Sequence, residues 1–411
     1  DATTGFEAIG LGDTTVTEVV YTVSDGNGGS DTATAQVTVN GQNDAVLAVE
    51  DQLAVNEDTG LLVLNVMDND STFIAGDVAT VSAVNGDSAN IGESIVGSNG
   101  GLFIINADGS ATFDANGEYE QLTTVDVVTT SVSYTIEGFG GETSTSTVSV
   151  EITGVNDAPV AGDDFATVDA GTETAIANFI FDPVNGLMDN RLLSNDADPD
   201  GDSISITEVN GVALVNGSIM IAGSNGGMFT ISSNGTASFD ATTGFEAIGL
   251  GDTVLTEVVY TVSDGNGGSD TATAQVTVSG QNDVPVAVDD NVSTGENSTI
   301  TIDLLSNDSD VDGDALTVSN LDTTNLLGSL TDNGDGTVSY DTNSQFDALN
   351  DGDSALDYFE YTVADGVGGF DTAQVQISIA GSTANVSSAA AEPAASSDPV
   401  EETAPPSDFM G

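Results

Sequence analysis

Residues 260 to 290 read YTVSDGNGGSDTATAQVTVSGQNDVPVAVDD. Apolar and polar residues alternate, the alternation breaks at DGNGG, and then it resumes, which is the pattern of two antiparallel strands joined by a glycine-rich turn. The same landmark occurs as YTVSDGNGG at Tyr21, YTIEGFGG at Tyr134 and YTVADGVGG at Tyr361, so successive copies lie 113, 126 and 101 residues apart. Repetition at this scale marks an array of stacked domains. The most closely matched copies are Asp1 to Asp44 and Asp240 to Asp283, which differ only at Thr15/Val254, Val16/Leu255 and Asn40/Ser279.

Three linkers divide the array: GQNDAVLA at Gly41, GVNDAPVA at Gly154 and GQNDVPVA at Gly280. They predict an incomplete unit at 1–42, full units at 43–154, 155–281 and 282–381, and an Ala/Ser/Pro/Glu-rich tail or linker at 382–411 that reads as disordered. The first unit matches only the last third of the unit at 155–281 and lacks about 85 of its residues. Two strands and a turn cannot bury enough apolar surface to stand alone in water. The missing part is expected upstream in a longer chain, because Asp1 is neither an initiator Met nor part of a signal peptide. The alternative is completion by a neighbouring subunit.

Segments such as VTEVVYTVSD, TATAQVTV and MFTISSNGTASFD alternate with period two, and no window sustains a helical period. Turn signals recur roughly every 8 to 12 residues, which predicts all-β sandwiches. Their cores should be modest, since the chain has no Trp and 15 Phe.

The net charge is −66, with Arg191 the one basic residue against 67 acidic ones. Self-repulsion on that scale opposes compaction unless cations offset it. Nucleic acid and anionic membrane surfaces are very poor partners, because binding them depends on Lys and Arg. No apolar run is long enough to insert in a membrane. Without Cys, His or Lys, thiol, imidazole and Schiff-base chemistry are unavailable. A glycosidase-like carboxylate pair would remain, but no aromatic-lined constellation accompanies one, so an enzyme is not expected. The hard oxygen ligands suit Ca2+ better than zinc or copper.

Two loops concentrate those oxygens: NDADPDGDSISI at Asn195 and NDSDVDGDALTV at Asn307. Asp198, Asp200 and Asp202, and likewise Asp310, Asp312 and Asp314, occupy alternating positions of a tight Gly-containing turn. The likeness to an EF-hand loop is partial, because the twelfth-position Glu and flanking helices are absent. A solvated acidic turn is the alternative reading.

The run from Tyr260 to Asp290 resembles the end of a bacterial cadherin-like repeat of the VCBS type, followed by its linker. FEAIGLGDT at Phe245 and FDALNDGDS at Phe346 resemble the FxAL segment of that repeat, and GGMFTISSNGTASFD at Gly226 resembles its glycine hairpin. The resemblance covers residues 1 to about 380. It implies tandem Ig/cadherin-like Greek-key β-sandwich domains in large secreted adhesins or matrix proteins, stiffened by calcium.

Cadherin-type logic then implies ligands. A linker Asn-Asp would share ions with the acidic turn of the following domain and with the Asp of that domain's YTVxDG strand end. At one junction these are Asn156, Asp157, Asp198, Asp200 and Asp264, with Asp163 or Asp164 as further candidates. At the next they are Asn282, Asp283, Asp310, Asp312 and Asp365, with Asp289 or Asp290. The domain after Asn43 and Asp44 has lost both features, reading NDSTFIAGD at Asn69 and Glu137 where the others have Ser-Asp. A weak or empty first junction is therefore expected. An insertion before Arg191, IANFIFDPVNGLMDN, reads as core packing or as a contact patch.

Together these readings predict an extracellular structural or adhesive repeat protein of a bacterial cell surface, a calcium-stiffened rod. Its partners would be calcium, neighbouring copies or upstream repeats, and surface receptors or polysaccharide. A self-assembling head-to-tail fibre and a non-catalytic glycan-binding module are the alternatives.

Overall fold

The computed structural model describes residues 5–6, 9–42, 45–72, 78–171, 180–181, 188–189 and 191–382. Asn43 and Asp44, most of the insertion before Arg191 and the tail lie outside the described residues. Among the described residues the elements are strands and two short 3-10 turns. The chain divides into two compact units. One comprises Asp1–Val168, Thr172–Thr243 and Leu255–Val278; the other comprises Asp169–Gly171, Gly244–Val254 and Ser279–Gly411.

In the first unit, strands Asp51–Asn56, Thr143–Thr153, Val127–Glu137 and Thr80–Val84 form one sheet in that order. Leu62–Asn65, Ser110–Asp114, Leu102–Ile105 and Ile95–Val96 form the second. The long hairpin follows the alternation: Val132, Tyr134 and Ile136 face inward with Val148, Val150 and Ile152, and all six are buried. Asp51–Asn56 runs parallel to Thr143–Thr153, with Val148 opposite Asp51. A parallel pairing of first and last strands requires a crossover between sheets rather than a hairpin. The two sheets pack around Phe103 and Phe113, whose ring centroids lie 4.8 Å apart.

The same plan recurs with Phe229 and Phe239, 4.7 Å apart. It recurs again in the second unit, where Asp290–Gly295 runs parallel to Phe370–Ala380 beside Ser354–Ala364 and Thr317–Asp322. Asn-Gly-Gly at Asn99 and Asn225 forms a turn with positive φ at both glycines. Gly101 and Gly227 have φ of 71° and 70°, and an added Cβ would strike the rings of Phe113 and Phe239.

The near-identical hairpins differ in one respect. Thr14–Ser24 pairs with Ser30–Asn40 along its whole length. Yet Val19 and Tyr21 are 66% and 49% exposed, whereas their counterparts Val258 and Tyr260 are at 1% and 0%. The N-terminal hairpin has its sheet but no opposing sheet among the described residues.

Candidate metal centres

Each acidic loop folds back on itself. Asp198 accepts the amide of Asp202 at 3.1 Å, while Asp310 accepts the amides of Asp312 at 2.9 Å and Asp314 at 3.3 Å. Oxygens of Asp198, Asp200 and Asp202 lie within 4.8 Å of one another, as do those of Asp310, Asp312 and Asp314. The linkers dock onto these loops. The amide of Asp157 donates to Oδ2 of Asp200 at 2.9 Å, and that of Asp283 to Oδ2 of Asp312 at 2.8 Å. Asn156 donates to Asp264 at 2.7 Å and Asn282 to Asp365 at 2.8 Å.

The strand-end aspartates are held as anions. Oδ1 of Asp365 accepts amides of Val367, Gly368 and Gly369 at 2.7 to 3.0 Å. The Asn282 side-chain bond and these amides hold its carboxyl at about 2, against a smaller opposing effect of burial. Asn156 and the amides of residues 266 to 268 lower the Asp264 carboxyl in the same way. The linker aspartates are pushed the other way. Burial raises Asp157, reinforced by Glu120, Asp200, Asp58 and Asp198. Burial also raises Asp283, reinforced by Asp312, Asp310 and Glu246.

Convergent carboxylates with no basic side chain beside them leave buried oxygens without hydrogen-bond donors. These are Asp157 Oδ2, Asp198 Oδ2, Asp200 Oδ1, Asn282 Oδ1, Asp310 Oδ2 and Asp312 Oδ1. Buried polar atoms of this kind normally have a partner. Hard anionic oxygens in this number and arrangement fit a divalent cation of the calcium type.

The structure brings together Asn156, Asp157, Asp198, Asp200, Asp202 and Asp264, and likewise Asn282, Asp283, Asp310, Asp312, Asp314 and Asp365. It uses the further candidates elsewhere. Asp163 accepts the amide of Thr273 and Asp289 that of Gln374, both at 2.8 Å. Asp164, fully buried, accepts from Tyr260 at 2.9 Å. Its carboxyl is pushed up to about 8 by burial, against the Tyr260 bond and with the help of Asp196. Asp290 is raised to about 6 by burial beside Tyr361 and Asp308.

Sequence reasoning did not find the third acidic group. Asp58, Glu120 and Asp157 place carboxylate oxygens within 4.8 Å of one another. Beside them Glu57, 3% exposed, accepts the amide of Val155 at 2.5 Å and leaves Oε2 without a partner. The available signal was positional: Glu120 and Glu246 each follow a buried aromatic, Tyr119 or Phe245.

The bacterial cadherin-like domain family matches residues 156–280 and 282–381, more than half of the chain. The chain belongs to the bacterial cadherin-like family. The sandwich that precedes these two cadherin-like domains matches the bacterial Ig domain family over residues 43–151. No curated protein matches the chain. Among solved structures, it is similar to Drosophila N-cadherin EC1-4 at 14% identity, covering 91% of this chain and 85% of that one, with a TM-score of 0.32. Protocadherin gamma B2 extracellular cadherin domains 1-5 share 15% identity over 89% of this chain and 66% of that one, with a TM-score of 0.44. Mouse cadherin-23 EC22-24 shares 13% over 81% and 96%, also with a TM-score of 0.44. Tandem cadherin-like and Ig-like domains are the build of an extracellular adhesion-type repeat protein, and such domains are typically non-catalytic. No helix among the described residues is long and apolar enough to cross a membrane.

Proposed function

We propose that the chain is a structural segment of a bacterial surface adhesin, filament or matrix protein, whose cadherin-like domains are linked through calcium. One observation carries this reading. The linker amides of Asp157 and Asp283 are bonded to the acidic loop of the domain that follows, while buried carboxylate oxygens around them have no donor. Asn156, Asp157, Asp198, Asp200, Asp202 and Asp264 would hold the cation at one linker, with Asp58 and Glu120 adding charge. Asn282, Asp283, Asp310, Asp312, Asp314 and Asp365 would hold it at the other. A bound divalent cation supplies the positive charge that offsets repulsion among these carboxylates. Without it they oppose close approach of the linker aspartate to the acidic loop; with it that approach is stabilised.

Extracellular calcium modules bind at about 10⁻⁴ to 10⁻³ M, so such linkers fill outside the cell and stay open inside it. Small-angle scattering and thermal melting of the full chain, with calcium and with chelator, test the reading. A longer, stiffer particle and a higher Tm are expected with calcium. Indistinguishable profiles and melting curves would sink it.

A second reading is self-assembly into a head-to-tail fibre, in which the open face of Thr14–Ser24 and Ser30–Asn40 is completed by another copy rather than by upstream residues of a longer chain. Its exposed Val19, Val23 and Val37 match buried residues of the twin hairpin. Sedimentation at rising concentration separates the readings, since a fibre requires concentration-dependent growth.

A further inference from the structure

The linker strands are tied down by a set of bonds that needs no cation. In the cadherin-like domain after Asn156, three consecutive linker amides are taken. Val160 donates to the carbonyl of Ala197 at 2.7 Å, Ala161 to Asp270 at 2.9 Å and Gly162 to Asp196 at 2.8 Å. The carbonyls are held too, because Gly162 accepts from Asn195 at 3.0 Å and from the hydroxyl of Tyr260 at 3.1 Å.

The next domain repeats this bond for bond. Val286, Ala287 and Val288 donate to Ser309, Asp371 and Asp308 at 2.8 to 2.9 Å. The Val288 carbonyl accepts from Asn307 at 2.9 Å and from Tyr361 at 3.2 Å.

The Ig-like sandwich separates this device from the acidic turn. It has lost the Asp-x-Asp pair but keeps Asn69, Asp70 and Tyr134. Val49 donates to Asp70 at 2.7 Å, and Tyr134 donates to the carbonyl of Val49 at 2.8 Å. Where the cadherin-like domains have Asp270 and Asp371, it has Ser144, which accepts the amide of Ala48 at 3.0 Å. A neutral hydroxyl does the same work as the two carboxylates, so the work is hydrogen bonding rather than charge.

We infer that Asp371 and Asp270, with the Asn-Asp-Tyr sets Asn195, Asp196, Tyr260 and Asn307, Asp308, Tyr361, are positioning residues that fix each linker strand and so preset the acidic loop for its cation. The Asn-Asp pair and the acidic turn share one loop, with Asp308 only two residues before Asp310. Bonds to Asp308 and Ser309 therefore set the spacing between the linker's Asp283 and the carboxylates of Asp310 and Asp312. A carboxylate acceptor makes a strong hydrogen bond to a backbone amide. The effect on cation affinity rests on the calcium reading above; the fixing of the linker does not.

The test uses the full chain carrying Asp198→Asn, Asp200→Asn and Glu120→Gln, so that the Asp283 site is followed by calorimetric titration with calcium chloride. Asp371→Ala should weaken calcium about tenfold, the size of effect that outer-shell partners of a metal site have. Asp371→Ser should restore affinity to within about twofold, as a hydroxyl acceptor can replace the carboxylate. Equal weakening by both variants would show that charge matters and overturn the positioning role. Unchanged affinity with lowered stability would overturn it as well.

Amide exchange in chelator tests the fixing directly. Ala287 and Val288 should exchange at least about 100 times more slowly than free amides. Free exchange there would overturn the inference even if calcium binds. A parent chain that takes up no calcium would defeat the calcium reading, and exchange would still decide whether the linker is fixed.

Discussion

The backbone amide of Asp283 donates to Oδ2 of Asp312 at 2.8 Å, which brings two residues of like charge together through a main-chain donor. The bond needs an oxygen at position 312, not a charge, whereas a cation site needs the charge. Asp312→Asn keeps an acceptor for the amide and removes one negative ligand. Calcium affinity of that linker should fall by about tenfold or more, since charge count tunes such sites. Stability in chelator should be unchanged or raised, because repulsion with Asp283 and Asp310 is relieved. A variant that melts lower in chelator would show instead that the carboxylate is structural.

Burial sets the acid response of the Ig-like sandwich. Asp51 is pushed up to about 6 by burial, with Asp70 and Asp68 adding to the rise and the Tyr134 bond opposing it. Asp70 is raised by burial as well. Unfolded aspartate titrates near about 3.9, so the folded state holds the Asp51 proton more tightly. Its contribution to stability is fully present below about pH 4 and is lost as pH rises through about 6. After allowance for solvent screening, the drop is about 1 kcal/mol. Asp51→Asn should remove that drop. Urea unfolding of the full chain in chelator between pH 4 and 7 checks this, and a parent profile no steeper than that of the variant would contradict it.

Tyr21 and Tyr260 occupy the same position of nearly identical hairpins in opposite environments. Tyr260 is fully buried and donates toward Asp164, Gly162 and Leu192. Tyr260→Ala should cost about 3 to 5 kcal/mol, as for other large buried side chains. Tyr21→Ala should cost less than about 0.5 kcal/mol, the range for surface positions. Denaturant titration compares the two. A large loss at Tyr21 would mean that the open face is covered in solution, by further residues of a longer chain or by a second copy.

The hairpins, the linkers and the acidic turns could be read from the sequence because each is encoded locally. Alternation sets which side of Val127–Glu137 is buried, and Asp-x-Asp-Gly-Asp draws its carboxylates together within one turn. The group Asp58, Glu120 and Asp157 is not local. Its members come from three loops that only the folded sandwich brings together, and the acid after an aromatic at Glu120 is the one local cue to it. Within each candidate pair, strand alternation separates the neighbours: Asp163 and Asp289 accept the amides of Thr273 and Gln374, whereas Asp164 and Asp290 turn inward to Tyr260 and Tyr361. At the first linker, the residue matching Asp264 is Gly138, next to the substituted Glu137, and the Glu142 side chain lies over it. A carboxylate therefore remains near that place although the sequence motif is lost.

Backbone bonds show that Glu57, Ala170 and Glu296 occupy one structural position: their amides donate to the carbonyls of Thr153, Ser279 and Ala380 at 3.1, 2.8 and 3.1 Å. Glu57 reaches the linker amide of Val155, and Asp58 follows it into the acidic group with Glu120 and Asp157. Ala170 and Gly171 supply no carboxylate at the corresponding place before Asp283. The two linkers should therefore differ in calcium stoichiometry and affinity, the one at Asp157 taking up more ions and holding them tighter. Glu57→Gln keeps an acceptor for Val155 while removing charge, and Glu120→Gln removes charge from the exposed side. Each should weaken the tighter class of sites by about tenfold and leave the class containing Asp283 unchanged. Native mass spectrometry and calorimetric titration read both numbers. A single class of identical sites in the parent chain, or equal weakening of both classes by Glu120→Gln, would show that the third acidic group takes no part in binding.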